Sequence, residues 1–226
     1  MHSEIVNPHL YGLTEQHLVD YADIKLTAET AKAFSHMQQA AKNDGIVLSV
    51  CSGFRSFTRQ AQIWNDKATG KRPLFNSDNQ RVHFTDYSKS ELVDLILTWS
   101  ALPGCSRHHW GTDIDVFDSK NISKNDLKLT DTEYAKNGPC HALYLWLLQH
   151  SADFGFFFPF QKDMSGVSPE PWHLSYHPES SLFLSQFNQF ELTKILKQND
   201  IKLFREINER IKQIIGIYVK RIATFR

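Results

Sequence analysis

The sequence predicts an α+β fold: short strands forming a small antiparallel sheet, helices flanking it, and a helical extension at the C-terminus. Three observations point there. Segments with apolar residues at helical spacing alternate with short β-branched or aromatic runs. The 226 residues, 41% of them hydrophobic, are ample for one sizeable core. No internal repeat or low-complexity segment interrupts the chain, which sets solenoids and disorder aside.

The elements follow in order. Residues 27–42 read as a helix, with Ala33, Phe34, Met37, Ala40 and Ala41 as its apolar stripe and Asp44-Gly45 as its stop. Residues 46–51, Ile-Val-Leu-Ser-Val-Cys, read as a buried strand, and residues 56–67 as a second helix. Residues 69–87 turn polar, with Gly70, Pro73, Asn76, Asp78 and Asn79, and read as a long loop or insertion. A short helix over 90–99 leads to the Pro103-Gly104 turn and a strand over 112–117. A buried helix over 142–152 precedes strands over 156–158 and 172–176. Beyond Pro178 the pattern gives helices over 190–198 and 201–222. The latter carries Ile201, Phe204, Ile207, Ile211, Ile214, Tyr218 and Ile222 on one face, read as packing on the core and not on a membrane.

Composition excludes several function classes. Twenty-five Lys and Arg balance 25 Asp and Glu, so the basic surplus that a nucleic-acid binder needs is absent. No run approaches the ~18 apolar residues of a membrane helix. The first twenty residues include Glu4, Pro8, Glu15 and Asp20 and no apolar stretch of the kind a secretory signal has. Cys51, Cys105 and Cys140 are odd in number and far apart, matching neither a disulfide framework nor a zinc or redox motif. The expectation is a cytoplasmic protein.

Two segments carry chemistry: Ser106-Arg107-His108-His109-Trp110-Gly111-Thr112-Asp113-Ile114-Asp115 and Glu170-Pro171-Trp172-His173. A catalytic zinc needs three protein ligands and an open position for water. His108, Asp115 and His173 supply such a set, and Glu170, three residues before His173, is placed to act as base. Spacing leaves alternatives: Asp113 and Asp115 share one face of a strand, and His109 competes with His108. Any one of these histidines alone reads more simply as a cap or a satisfied core group. The HExxH helix of classical zincins is absent.

Four blocks occur in order: Ser52-Gly53-Phe54-Arg55-Ser56 with Gln60; Pro103-Gly104-x-Ser106-x-His108-x-x-Gly111-x-x-x-Asp115; Phe154-Gly155-Phe156; and Glu170-Pro171-Trp172-His173. Over about residues 27–178 the chain resembles the VanY-type D-alanyl-D-alanine carboxypeptidases of the LAS metallopeptidase superfamily. The resemblance implies one Zn2+ held at the sheet by His108, Asp115 and His173, with Glu170 as catalytic base. It makes His109 and Asp113 neighbours of the ligands. It assigns Arg55 to the substrate's terminal carboxylate or scissile carbonyl, as a catalytic and substrate-binding residue, with Gln60 and Ser106 as further substrate contacts. A guanidinium suits that task, since each charged hydrogen bond contributes ~1.5–3 kcal/mol. One departure is Asp113, where the family has a small residue; it reads as a partner for a ligating histidine or as a tuner of substrate choice.

The implied function is a zinc carboxypeptidase removing the C-terminal D-alanine from peptidoglycan stem peptides. The cytoplasmic expectation favours L,D-carboxypeptidase action on recycled tetrapeptides; D,D-carboxypeptidase action on pentapeptides is the alternative. From another class comes a non-catalytic, zinc-containing peptide-binding module, disfavoured by the presence of Glu170. Residues 1–180 are expected to form the catalytic domain, with an insertion at about 69–100, and residues 181–226 a helical extension packed on it.

Overall fold

The computed structural model describes residues 5–225. In chain order it contains β1 (Val19–Tyr21), β2 (Ile24–Leu26), α1 (Ala28–Asn43), β3 (Leu48–Ser52), α2 (Phe57–Ala68), β4 (Leu74–Phe75), β5 (Arg81–Val82) and α3 (Lys89–Leu97). Then follow β6 (Asp113–Asp118), α4 (Asp131–Tyr134), α5 (His141–His150), β7 (Phe156–Phe157), β8 (His173–Tyr176), α6 (His177–Gln186), α7 (Gln189–Gln198), α8 (Phe204–Glu209) and α9 (Ile211–Ile215). Four strands form an antiparallel sheet in the order β3-β6-β8-β7, as the α+β reading required.

Alternation along β6 and β8 sorts the sheet into two faces. Ile114, Val116 and Leu174 point into a core shared with Phe34, Met37 and Ala41 of α1 and Leu143 and Leu147 of α5. Asp113, Asp115, His173 and Ser175 take the opposite parity, and all four are buried. Helix α1 is set by its cap: Thr27 accepts a hydrogen bond from the Thr30 amide, and the chain leaves the helix at Asp44 and the left-handed Gly45.

A second core joins α2 and α3 to the C-terminal helices. Trp64, Val93 and Leu97 pack with Leu192, Ile195, Ile207 and Ile214, together with Leu10 and Tyr11. Among the described residues no helix is long and apolar enough to cross a membrane. The apolar stripe of the C-terminal segment, with Ile201, Ile207, Ile211 and Ile214 buried, is spent on this core.

The structure corrects three expectations. The helix over 201–222 is broken: Leu203 is left-handed at φ +64°, Arg210 leaves helical geometry at φ −123°, and a π turn closes the segment over Gly216–Lys220. Arg210 instead reaches α3, with its guanidinium 2.9 Å from Asp94 and a further bond to the Ser90 carbonyl. The polar stretch 69–87 contains the hairpin β4–β5, with Leu74 buried and the Trp99 indole bonded to the Asn76 carbonyl. Helix α6 begins directly after β8 where Pro178 suggested a boundary; proline in a first turn favours a helix start.

Candidate active site

The polar face of the sheet is organised by register. Asp115 of β6 stands directly opposite His173 of β8, and Asp113 opposite Ser175. Cross-strand partners hold their Cβ atoms ~4.5–5.5 Å apart, so this pairing alone brings a carboxylate to an imidazole. His108 arrives from the 3-10 turn Arg107–Trp110, which ends on Gly111 at φ +73°. A Cβ at Gly111 would lie 2.3 Å from Leu18, so both the backbone angle and the space require glycine there.

Each histidine is fixed through one ring nitrogen and presents the other. His108 Nδ1 is 2.9 Å from the Gly53 carbonyl and therefore carries the proton, leaving Nε2 3.4 Å from Asp115 Oδ2. His173 Nε2 is 3.0 Å from Asp113 Oδ1, and its Nδ1 faces Asp115 Oδ1 at 3.2 Å and Glu170 Oε2 at 3.4 Å. The ligand atoms of His108, Asp115 and His173 all lie within 4.8 Å of one another. Asp115 Oδ1 is buried without a hydrogen-bond partner. An orphaned carboxylate oxygen beside two oriented imidazoles fits a divalent metal of the zinc type, whose second coordination sphere customarily holds the far nitrogen of each histidine.

Asp113 is fully engaged elsewhere. Its Oδ1 accepts from Arg107 Nε at 2.7 Å and faces His173; its Oδ2 accepts from Thr112 Oγ1 at 2.8 Å and Ser175 Oγ at 3.1 Å. The Arg107 guanidinium also donates to Ser175 Oγ and lies over the Trp110 ring. This network sets Asp113 apart from Asp115: its two oxygens are taken up by Arg107, Thr112, Ser175 and His173. Burial opposes its charge, but Arg107 and His173 outweigh that and hold the carboxyl well below the usual range. Asp115 behaves likewise, held low by His108 and His173 against the cost of burial.

His109, the competitor of His108, is buried and turned away. Its Nε2 accepts from the Gly104 amide and its Nδ1 bonds the Arg55 carbonyl. Burial lowers it to about 3, so it stays neutral and ties the Pro103-Gly104 turn to the Arg55 segment.

Glu170 is held by a turn in which its amide bonds the Phe160 carbonyl and its own carbonyl accepts from the His173 amide. Burial raises its carboxyl to about 7, partly offset by His173. Phe160 packs on the His173 ring, with centroids 4.8 Å apart. Arg55 follows β3 across a bulge between Val50 and Ser52. Its Nη1 donates to Gln60 Oε1 at 3.1 Å, and Gln60 Nε2 donates to the Ala101 carbonyl at 2.7 Å. Ser106 is buried at the start of the 107–110 turn and makes no capping bond to it. The Cys51 thiol bonds the Asp115 carbonyl oxygen, and burial pushes it up. Arg107 carried no motif signal; the one available hint was a site-face aspartate that, once buried, demands a cation.

The family model described as VanY, D-alanyl-D-alanine carboxypeptidase, matches residues 23–179. An uncharacterized protein of Haemophilus influenzae is 33% identical over 125 residues, which make up 54% of this chain and 95% of that protein. A D-alanyl-D-alanine carboxypeptidase of Enterococcus faecalis is 29% identical over 140 residues, 61% of this chain, and the match spans only 42% of that longer protein. Among solved structures, VanYB in complex with D-alanine-D-alanine aligns with a TM-score of 0.55 at 21% identity, covering 80% of this chain and 90% of that one. A mutant VanY from the VanB-type resistance cassette, in complex with Zn(II), gives 0.53 at 20% identity over 85% and 92%. The LdcB LD-carboxypeptidase gives 0.53 at 20% identity over 86% and 78%. The fold is therefore shared with these structures. With the family model spanning more than half its length, this chain belongs to the VanY D-alanyl-D-alanine carboxypeptidase family.

Proposed function

We propose that the chain is a zinc carboxypeptidase that removes the C-terminal D-alanine from peptidoglycan stem peptides. The observation that carries this is the convergence of His108, Asp115 and His173 within 4.8 Å, with Glu170 Oε2 3.4 Å from His173 Nδ1. His108 Nε2, the Asp115 carboxylate and His173 Nδ1 would hold the metal. Zinc bound there supplies Lewis acidity, making water acidic enough to ionise near neutral pH and polarising the scissile carbonyl.

The chain's own residues do the rest. Glu170 takes the proton of the attacking water and returns it to the leaving amine; burial raises its carboxyl, which favours its holding a proton between the two transfers. Arg55 receives the free C-terminal carboxylate, held in place by Gln60, while Ser106 contacts the peptide. Asp113 and the Gly53 carbonyl keep the two imidazoles in the required tautomers. A relative named D-alanyl-D-alanine carboxypeptidase and a similar structure bound to D-Ala-D-Ala support this substrate class.

Within it, we assign L,D-carboxypeptidase action on tetrapeptides in cytoplasmic murein recycling. The three cysteines are all unpaired, which suits a reducing compartment where recycled tetrapeptides are available. The likeness to the LdcB LD-carboxypeptidase fold is compatible with this assignment. D-alanine release from pure protein supplied with tetrapeptide and with pentapeptide tests it; trimming of pentapeptide alone would overturn the L,D assignment.

We also propose that residues 1–180 form the peptidase unit and that 181–226 buttress the loop carrying Glu170. Three bonds support this role: Gly166 N to the Ile217 carbonyl, Arg221 to the Asp163 carbonyl, and Ala223 N to the Pro159 carbonyl.

A further inference from the structure

Charges near the candidate site are paired unevenly. Arg107 is paired with Asp113 at 2.7 Å and Arg72 with Asp66 at 3.4 Å. Arg55 and Lys67 differ: among the described residues, neither has a carboxylate oxygen within 4 Å. Arg55 bonds only the neutral Gln60 and Ser52 side chains, and the Lys67 ammonium only the Ser100 hydroxyl, at 2.7 Å. Both are half-buried, and a cation partly withdrawn from water is ordinarily paired, because leaving one without a counter-charge costs stability.

These two cations are also linked through a chain of contacts. Gln60, Trp64 and Lys67 fall at i, i+4 and i+7 on α2, one face of the helix. Side chains on a helix lean toward its N-terminus, which carries the Lys67 ammonium back toward Gln60. The contacts agree. Gln60 Nε2 bonds the Ala101 carbonyl while Lys67 Nζ bonds Ser100 Oγ, so the two groups meet adjacent residues of one strip. The other end of the Gln60 amide accepts from Arg55. The same strip borders the loop of the catalytic base, with Ser168 N bonded to the Thr98 carbonyl two residues before Glu170. Charge on Lys67 is felt there too: burial, Arg72 and Arg55 lower its pKa and Glu170 raises it, for a net value of about 8.

We propose that Lys67 is a second cation for the substrate's C-terminal carboxylate, sharing it with Arg55 across the Gln60 bridge. This rests on the peptidase reading above and adds a specificity-determining residue that no motif contains. Two cations flanking one carboxylate would make the site strict for a free C-terminus: an amide-capped peptide offers neither charge nor a second acceptor oxygen.

The test uses zinc-loaded protein and two probes, an L-Ala-γ-D-Glu-L-Lys-D-Ala tetrapeptide with a free C-terminus and the same peptide as C-terminal amide, with the matching pentapeptide pair alongside. Turnover and calorimetric binding are both read, in wild type, Lys67→Met, Lys67→Arg and Ser100→Ala. Lys67→Met is expected to lower the acid-to-amide preference about 10- to 100-fold, mainly through KM, the worth of one charge-assisted hydrogen bond. Lys67→Arg should restore most of it, and Ser100→Ala, which removes only the tie to the strip, should retain it. An unchanged preference in Lys67→Met, or an equal fall in Ser100→Ala, would overturn the assignment while leaving the peptidase reading intact. Wild type that cleaves nothing, yet binds acid over amide in a Lys67-dependent way, would refute the peptidase reading and keep Lys67. Neither cleavage nor preference would remove both.

Discussion

Replacing Asp113 by Asn preserves the shape of a side chain that is entirely buried, removes its charge and turns one of its two acceptor oxygens into an amide donor. The consequence is set by Arg107, whose side chain is 3% exposed and whose one carboxylate partner among the described residues is Asp113 at 2.7 Å. Breaking a buried pair from one side leaves an uncompensated charge and costs ~3–5 kcal/mol. Against the ~5–15 kcal/mol that holds a typical domain together, this is about a fifth or more of the whole. For a chain of this size it corresponds to a fall in Tm of roughly 6–20 °C. A second effect is separate: the acceptor facing the His173 Nε2 proton loses its charge, and such outer partners are worth ~10–100-fold in metal affinity. Urea unfolding in chelator reads the first effect, and competition with a chromogenic zinc chelator reads the second. The double variant Arg107→Met with Asp113→Asn should be more stable than Asp113→Asn alone, because the stranded cation is gone. Stability within ~1 kcal/mol of wild type, the ordinary scale of a neutral substitution, would show that Arg107 does not depend on Asp113. Unaltered zinc affinity would show that Asp113 does not orient His173.

Other perturbations separate the remaining roles. His108→Ala and His173→Ala should each abolish stoichiometric zinc in a metal assay, whereas Glu170→Gln should keep zinc and lose ~10²–10⁴-fold in turnover. Gly111→Ala forces a side chain into the left-handed region against Leu18, so urea unfolding should register a loss of at least ~1–2 kcal/mol. Lys67→Met has an unusual sign. Burial lowers Lys67 to about 8, so between there and its unfolded value of 10.5 the unfolded chain binds more protons, and stability rises with pH through that window. Below it the folded protein carries a charge that burial disfavours. In chelator at pH 7 the methionine variant should therefore be the more stable, with its advantage shrinking from pH 8 to pH 10. A uniformly destabilised variant would mark Lys67 as a structural strut.

Much of the site was legible because it is local in sequence. His108 and Asp115 lie in one ten-residue block, Glu170 and His173 in another, and Arg55 and Gln60 fall in a third. The principal helices and the polar parity of β6 followed from periodicity. What the chain order could not express were pairings between blocks. Asp113 and Asp115 have equal parity, and only the bonds to Arg107, Thr112 and Ser175 set their roles apart. Strands β4 and β5, of two residues each, are too short to produce a pattern. The break at Arg210 answers to Asp94 and Ser90 on α3, a tertiary contact that overrides an unbroken apolar stripe.

The proposed reaction is hydrolysis of a stem peptide at its free C-terminus by residues gathered around one metal. Its most direct measurement is the release of free D-alanine from defined tetrapeptide and pentapeptide muropeptides by pure zinc-loaded protein, beside the Glu170→Gln variant. Release by wild type, stopped by chelator and absent in the variant despite full zinc occupancy, is the expected result, with tetrapeptide the preferred substrate. Zinc-loaded wild type that leaves every stem peptide intact would contradict it and would favour a binding module over an enzyme.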